Sequence, residues 1–149
     1  MFRIDRKTKQ DPKARWALSD PVFFASGACH ILTYAFLKRY PDAGYSAVWI
    51  RPIDGHTGNH IVAKRGDEVF DFHGHMNWLQ RFSHYKRKAK RWYPEWDCTV
   101  IPLPMDILIS EKKSRTYNGL WLREPSDYLY NALPRAKAYL TRFNAPFEK

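Results

Sequence analysis

Residues 58–72 read Gly-Asn-His-Ile-Val-Ala-Lys-Arg-Gly-Asp-Glu-Val-Phe-Asp-Phe, a pattern that favours folding back on itself as a hairpin. Two apolar runs of strand length flank an Arg65-Gly66 step with turn character. A two-residue turn there sets Lys64 opposite Asp67, Ala63 opposite Glu68, Val62 opposite Val69, Ile61 opposite Phe70 and His60 opposite Asp71. Directly opposed residues share a sheet face, with Cβ atoms about 4.5–5.5 Å apart. A carboxylate at that position holds an imidazole ring and stabilises its charged form. A three-residue turn would shift the register by one and separate the pair. Taken alone, His60 and Asp71 also read as an ordinary polar pair at a hairpin end.

Upstream lies Ser26-Gly27-Ala28-Cys29-His30, followed by apolar residues at helical spacing: Ile31, Leu32, Tyr34, Ala35, Phe36 and Leu37. Ser26 or Gly27 is expected to cap this helix and Pro41 to end it, so Cys29 falls in or near the first turn. A cysteine nucleophile works as the thiolate, and unpaired N–H groups at a helix start favour that charge. The Cys29 N–H is also positioned to donate to a developing oxyanion. A lone cysteine on an apolar helix face is usually a core residue. Cys98, at an expected strand start in Trp96-Asp97-Cys98-Thr99-Val100, is read that way. For Cys29 the pairing of His60 with Asp71 shifts the balance toward chemistry.

The remaining pattern is mixed. A strand is expected over 45–51, a loop over 52–59, strands over 60–64 and 68–72, and a helix over 75–92. A strand over 99–103 is expected at a sheet edge, because Pro102 and Pro104 cannot donate to a ladder. Residues 106–125 read as loop and turn. A last helix is expected over 126–143, capped by Ser126 and Asp127 and kinked or broken at Pro134. Residues 1–20 read as a solvated basic arm and 21–149 as one catalytic domain. The expected fold class is α+β, with the Cys29 helix packed on a small antiparallel sheet and further C-terminal helices.

Cys29 in Ser-Gly-Ala-Cys-His, His60 in Gly-Asn-His-Ile-Val and Asp71 in Val-Phe-Asp-Phe-His-Gly follow an order and spacing that resembles the transglutaminase-like and arylamine N-acetyltransferase branch of the papain-like cysteine fold. The resemblance spans residues 23–75. Ala28 and His30 stand where animal transglutaminases carry a Trp beside the cysteine, and the Gly-Phe-Cys context of the acetyltransferases is absent. The resemblance therefore bears on fold and triad and leaves the reaction open. It implies that Cys29 attacks a carbonyl to form a thioester, that His60 takes the thiol proton and later activates water or an amine, and that Asp71 orients His60. Gln10 and Trp16 are candidates for a second oxyanion donor.

Two other constellations compete. His56, His60, His73, His75 and His84, with Asp71, include imidazoles of the kind zinc sites use, but no second ligand cluster with metal spacing accompanies them, and no metal or cofactor is expected. Arg81, Lys86, Arg87, Lys88, Lys90 and Arg91 interleave with Tyr85, Trp92, Tyr93 and Trp96, a mixture suited to single-stranded nucleic acid or, more blandly, to a solvated helix face. The net charge of +10 points the same way, toward an acidic partner. Trp49, Trp78 and Trp92 are candidates to line a cleft. Two cysteines are too few for a disulfide scaffold, the charged N-terminus lacks a secretory apolar run, and no apolar run has membrane-spanning length. The expectation is a cytoplasmic thiol hydrolase or acyltransferase acting on an amide, peptide or isopeptide carbonyl. The alternative is a non-catalytic basic domain that binds nucleic acid or another polyanion.

Overall fold

In a computed structural model, residues 4–53 and 59–146 are described; His56 and most of the expected 52–59 loop lie outside them. Three short helices come first: α1 (Arg6–Gln10), α2 (Pro12–Trp16) and α3 (Asp20–Ala25). The basic segment is thus folded into turns rather than extended, and no residue of α1 or α2 is fully buried. It is tied down from a distance. Arg135 donates to the carbonyls of Trp16 and Leu18 and to the Asp20 carboxylate, at 2.7–2.8 Å, and its guanidinium lies 4.0 Å from the Phe23 ring centre.

Helix α4 (Cys29–Arg39) is the central helix, with eight of its residues buried. Its N-cap is Ala28, which supplies no side-chain bond, and it ends before Tyr40. Strands β1 (Ser46–Pro52), β2 (His60–Arg65), β3 (Glu68–Asp71) and β4 (Gly74–Asn77) follow, then α5 (Trp78–Trp92), β5 (Cys98–Leu103), α6 (Glu111–Ser114) and α7 (Ala132–Leu140). The strands form one antiparallel sheet in the order β4-β3-β2-β1-β5. The architecture is α+β, and the proline-bearing β5 is at an edge, where a missing N–H is tolerated.

The alternation along β1, β2 and β3 divides the core. Trp49, Ile61, Ala63 and Phe70 join α4 and α7 in the main cluster, where Phe36 stacks on Phe70 at 4.3 Å. Val48, Val62 and Val69 form a second cluster with Met76 and Trp78, and Ile50 a third with Tyr85, Ala89 and Trp96 of the α5 region.

Three expectations are corrected. The hairpin turns at Gly66-Asp67, so Arg65 faces Glu68, Lys64 faces Val69 and Ala63 faces Phe70. Gly66 has φ of 55° while, among the described residues, no non-glycine has positive φ, so the glycine sits at the first central position of the turn, the one of its two central positions that needs it. The expected helix over 75–92 begins only at Trp78, because Gly74–Asn77 pairs with β3 and the Asn77 side chain caps the helix by accepting from the Leu79 and Gln80 N–H groups. The last helix starts at Ala132, capped by Asn131. Pro134 therefore falls in its first turn, where no intrahelical partner is lost, and causes no kink. Pro125–Asp127 forms a separate 3-10 turn.

Candidate active site

Cys29, His60 and Asp71 meet where the start of α4 approaches the start of β2 and the end of β3. Each arrives for a local reason. Gly27, with φ of 104°, swings the chain from α3 into α4, so that Cys29 is the first residue of the helix. His60 opens β2 and is 2% exposed; Asp71 closes β3 and is 3% exposed. The observed register sets them diagonally rather than directly opposite. Moving the turn by one residue on each strand preserves side-chain parity, so both still point to one face. His60 Nε2 lies 3.2 Å from Asp71 Oδ2.

That contact orients the ring. A carboxylate oxygen accepts, so Nε2 carries the proton and Nδ1 is the nitrogen left for the thiol. Tyr85 stacks on the imidazole at 5.4 Å with its plane only 15° away, and Phe72 meets it edge-on at 5.8 Å. The ring is therefore held by two aromatic neighbours and at one nitrogen.

Asp71 is held in turn. Its Oδ1 accepts from the His73 backbone N–H at 2.8 Å, and its Oδ2 accepts from Arg81 Nε at 2.5 Å. Burial opposes its charge, yet the hydrogen bonds from His60 and His73 and the charges of His60 and Arg81 hold the carboxyl well below the usual carboxylate range. Arg81 is 1% exposed, between the rings of Phe72 and Tyr85, and among the described residues its terminal nitrogens have no hydrogen-bond partner. Expected as part of a surface basic stretch, it is instead a buried counter-charge.

The thiol responds to these neighbours. Burial works against the Cys29 thiolate, but hydrogen bonds from the His30 and His60 side chains, and their positive charge, outweigh it and lower the pKa to about 5. Burial likewise disfavours a charged His60, and the hydrogen bonds to Asp71 and Cys29 with their negative charges raise it above the ordinary histidine value. The pair is thus favoured as thiolate and imidazolium. His30, quoted in the sequence only as context, is 3% exposed, and its Nε2 donates to the Arg123 carbonyl at 2.7 Å. Cys98 behaves oppositely: it is half-buried, and burial and the Asp97 charge push its thiol up.

A pocket of about 180 Å³ opens beside Cys29, lined by Arg15, Gly27, His30, Asn59, Trp121 and Arg123 together with three aliphatic side chains. Asn59 is fixed by its neighbour: its Oδ1 accepts from the Trp49 indole at 2.8 Å, which leaves its amide N–H₂ as donor. Gln10 and Trp16 do not line this pocket. Of the tryptophans expected at a cleft, Trp49 is buried in the core; the pocket uses Trp121, which is 63% exposed.

The C-terminal segment closes the arrangement. The Tyr128 hydroxyl donates to the Gly27 carbonyl, and the Tyr139 hydroxyl donates to the Phe72 carbonyl, both at 2.6 Å. Nothing in the strand pattern signalled these long-range bonds.

The other constellations resolve differently. His75 Nε2 donates to the Asn144 carbonyl at 2.7 Å, and among the described residues no group of three His, Cys, Asp or Glu side chains converges on one point. Tyr85 of α5 and Trp96 beyond its end are buried, which removes them as stacking platforms, while Arg87, Lys90, Arg91 and Trp92 of α5 stay exposed. Among the described residues, no helix is long and apolar enough to cross a membrane. No protein-family model, no curated protein and no solved structure matches this chain.

Proposed function

We propose that this protein is a thiol-dependent hydrolase or acyltransferase of papain-like, transglutaminase-like type, acting on an amide, peptide or isopeptide carbonyl. One observation carries the reading: the buried His60 imidazole is bonded through Nε2 to a charged Asp71 while it, together with His30, lowers the pKa of a thiol at a helix start.

The chemistry follows from that polarity. The Cys29 thiolate adds to the carbonyl carbon, and the carbonyl oxygen becomes an oxyanion. The Cys29 N–H is one donor to that oxygen, and the oriented Asn59 amide is the other. The tetrahedral adduct collapses, the C–N bond breaks, and the leaving amine takes the proton from His60. The acyl group is now a thioester on Cys29. Water or a second amine then attacks the thioester carbonyl, giving its proton to His60, and the C–S bond breaks to return the thiolate. Asp71 is a positioning residue: it keeps the His60 proton on Nε2 and balances the imidazolium. The absence of any acyl-carrier motif in the sequence favours water as the second nucleophile.

The test is the pH dependence of iodoacetamide alkylation at each cysteine, read by peptide mass, in the wild type and in His60→Ala. Thiolate appears as pH rises through the thiol pKa, so Cys29 is expected to gain reactivity with a midpoint near 5. Cys98 is expected to react only above the free-thiol value of about 8.5. His60→Ala should move the Cys29 midpoint up, with His30 left to hold part of the shift. A Cys29 that stays inert across the range in folded protein, or that ignores His60, removes this function.

A further inference from the structure

The pocket beside Cys29 has an electrostatic character that the thiol chemistry does not require. Two arginines, Arg15 and Arg123, line it, and among the described residues neither forms an ion pair with a carboxylate. The two acidic side chains close in sequence to Arg123 are engaged elsewhere: Glu124 accepts from the Glu111 N–H, and Asp127 caps the Glu124 N–H. The thiolate is not the missing partner, since it is His30 and His60 that lower the Cys29 thiol.

Arg15 is also held where it is. Its Nη2 donates to the Ser26 carbonyl at 3.1 Å, and its guanidinium packs onto the Cα of Gly27, so closely that a Cβ there would come within 2.0 Å of Nη2. Gly27 thus serves both the turn into α4 and the seating of a cation two residues before the thiol. Burial and the charge of Arg123 both disfavour a charged Arg15, so like charges are kept together against their preference. A seated Arg15 guanidinium with N–H donors to spare, and a second guanidinium on Arg123 lining the same pocket, suit a planar carboxylate, which takes such donors bidentately. Drug-sized ligands occupy roughly 300–1,000 Å³; at about 180 Å³ this pocket holds a single residue. The exposed Trp121 supplies an apolar wall at its mouth.

We propose that the pocket formed by Arg15, Arg123 and Trp121 selects acyl substrates that carry a carboxylate within one residue of the carbonyl attacked by Cys29. The carboxylate comes from an acidic side chain or from a free chain terminus. The proposal rests on Cys29 being the nucleophile, and the experiment separates the two.

Iodoacetate and iodoacetamide alkylate a thiolate by the same step, displacement of iodide by sulfur, and differ in charge. Their rate ratio at one cysteine cancels any change in thiol reactivity common to both. The ratio at Cys29 is expected to exceed that at Cys98 by about tenfold or more at low salt and to shrink as salt is added. It should fall toward the Cys98 value in Arg15→Gln and in Arg123→Gln, and be partly retained in Arg15→Lys, which keeps the charge. N-acetylalanine, with a terminal carboxylate, and N-acetylglutamic acid α-amide, with a side-chain carboxylate, should slow iodoacetamide at Cys29; the stronger protector names the source. Fast reaction of Cys29 with iodoacetamide at a ratio no higher than that of Cys98 overturns the proposal and leaves the nucleophile standing. So does equal protection by the neutral N-acetylalanine amide, or protection by none of the three. Inertness of Cys29 to both reagents overturns the nucleophile itself, and the proposal with it.

Discussion

Asp71 and Arg81 together decide how much of the site survives a single change. The pair is buried at 3% and 1% exposure, and each charge depends on the other for part of its compensation. Removing one member of a buried pair leaves an uncompensated charge, at a cost of about 3–5 kcal/mol. Asp71→Ala and Arg81→Met are each expected to lose that much in urea unfolding, and the double variant less than their sum. Strictly additive losses would mean that the two charges are not coupled. Asp71→Asn has a separate signature. Without the carboxylate His60 is less readily charged, so the alkylation midpoint of Cys29 should climb from about 5 toward the ordinary thiol value. Because Asp71 titrates well below the carboxylate range, its contribution to stability is present above about pH 4 and is lost only as pH falls through that depressed value. A loss of Cys29 reactivity near pH 5 therefore reports the thiol, not protonation of Asp71. Cys29, His60 and Asp71 were legible in the sequence because helix starts and hairpin faces follow short periods. Arg81 was not: its helical spacing is that of a basic surface, and only the fold reveals that it turns inward.

At the scale of elements, the hairpin shows why a turn shifted from Arg65-Gly66 to Gly66-Asp67 still brings His60 and Asp71 together. A two-residue turn at Arg65-Gly66 and one at Gly66-Asp67 differ by one residue on each strand, and side chains alternate with a period of two. Parity, not exact opposition, brought His60 and Asp71 to one face. The α5 boundary was less legible, since Gly74–Asn77 has no strong strand composition and is recruited by β3. Its cap is a direct test: Asn77→Ala removes the acceptor for two N–H groups and should cost about 1 kcal/mol of unfolding free energy, seen as a lower melting temperature. An unchanged melting temperature would mean that the helix end is satisfied otherwise. Pro134 reads as a kink only for a helix that begins at Ser126; with the cap at Asn131 the proline belongs to the first turn.

Across the whole molecule, the two ends of the chain are stitched around the centre. Arg135 of α7 anchors the N-terminal helices through Trp16, Leu18 and Asp20, while Tyr128 and Tyr139 anchor the residues next to Cys29 and Asp71. Arg135→Ala should release the segment before α3, read as faster tryptic cleavage at Lys9, Lys13 or Arg15 with the sheet left intact. Cleavage at the wild-type rate would show that the arginine is not what holds it. Such bonds are beyond sequence reasoning, because no local period links positions so distant. They also order events in time. Tyr128 stands 101 residues after Gly27, and Tyr139 stands 67 after Phe72. During synthesis the thiol leaves the ribosome long before the helix that seals its surroundings. A nascent chain thus carries the Gly27 and Phe72 carbonyls bonded to water until the Tyr128 and Tyr139 hydroxyls arrive to replace it.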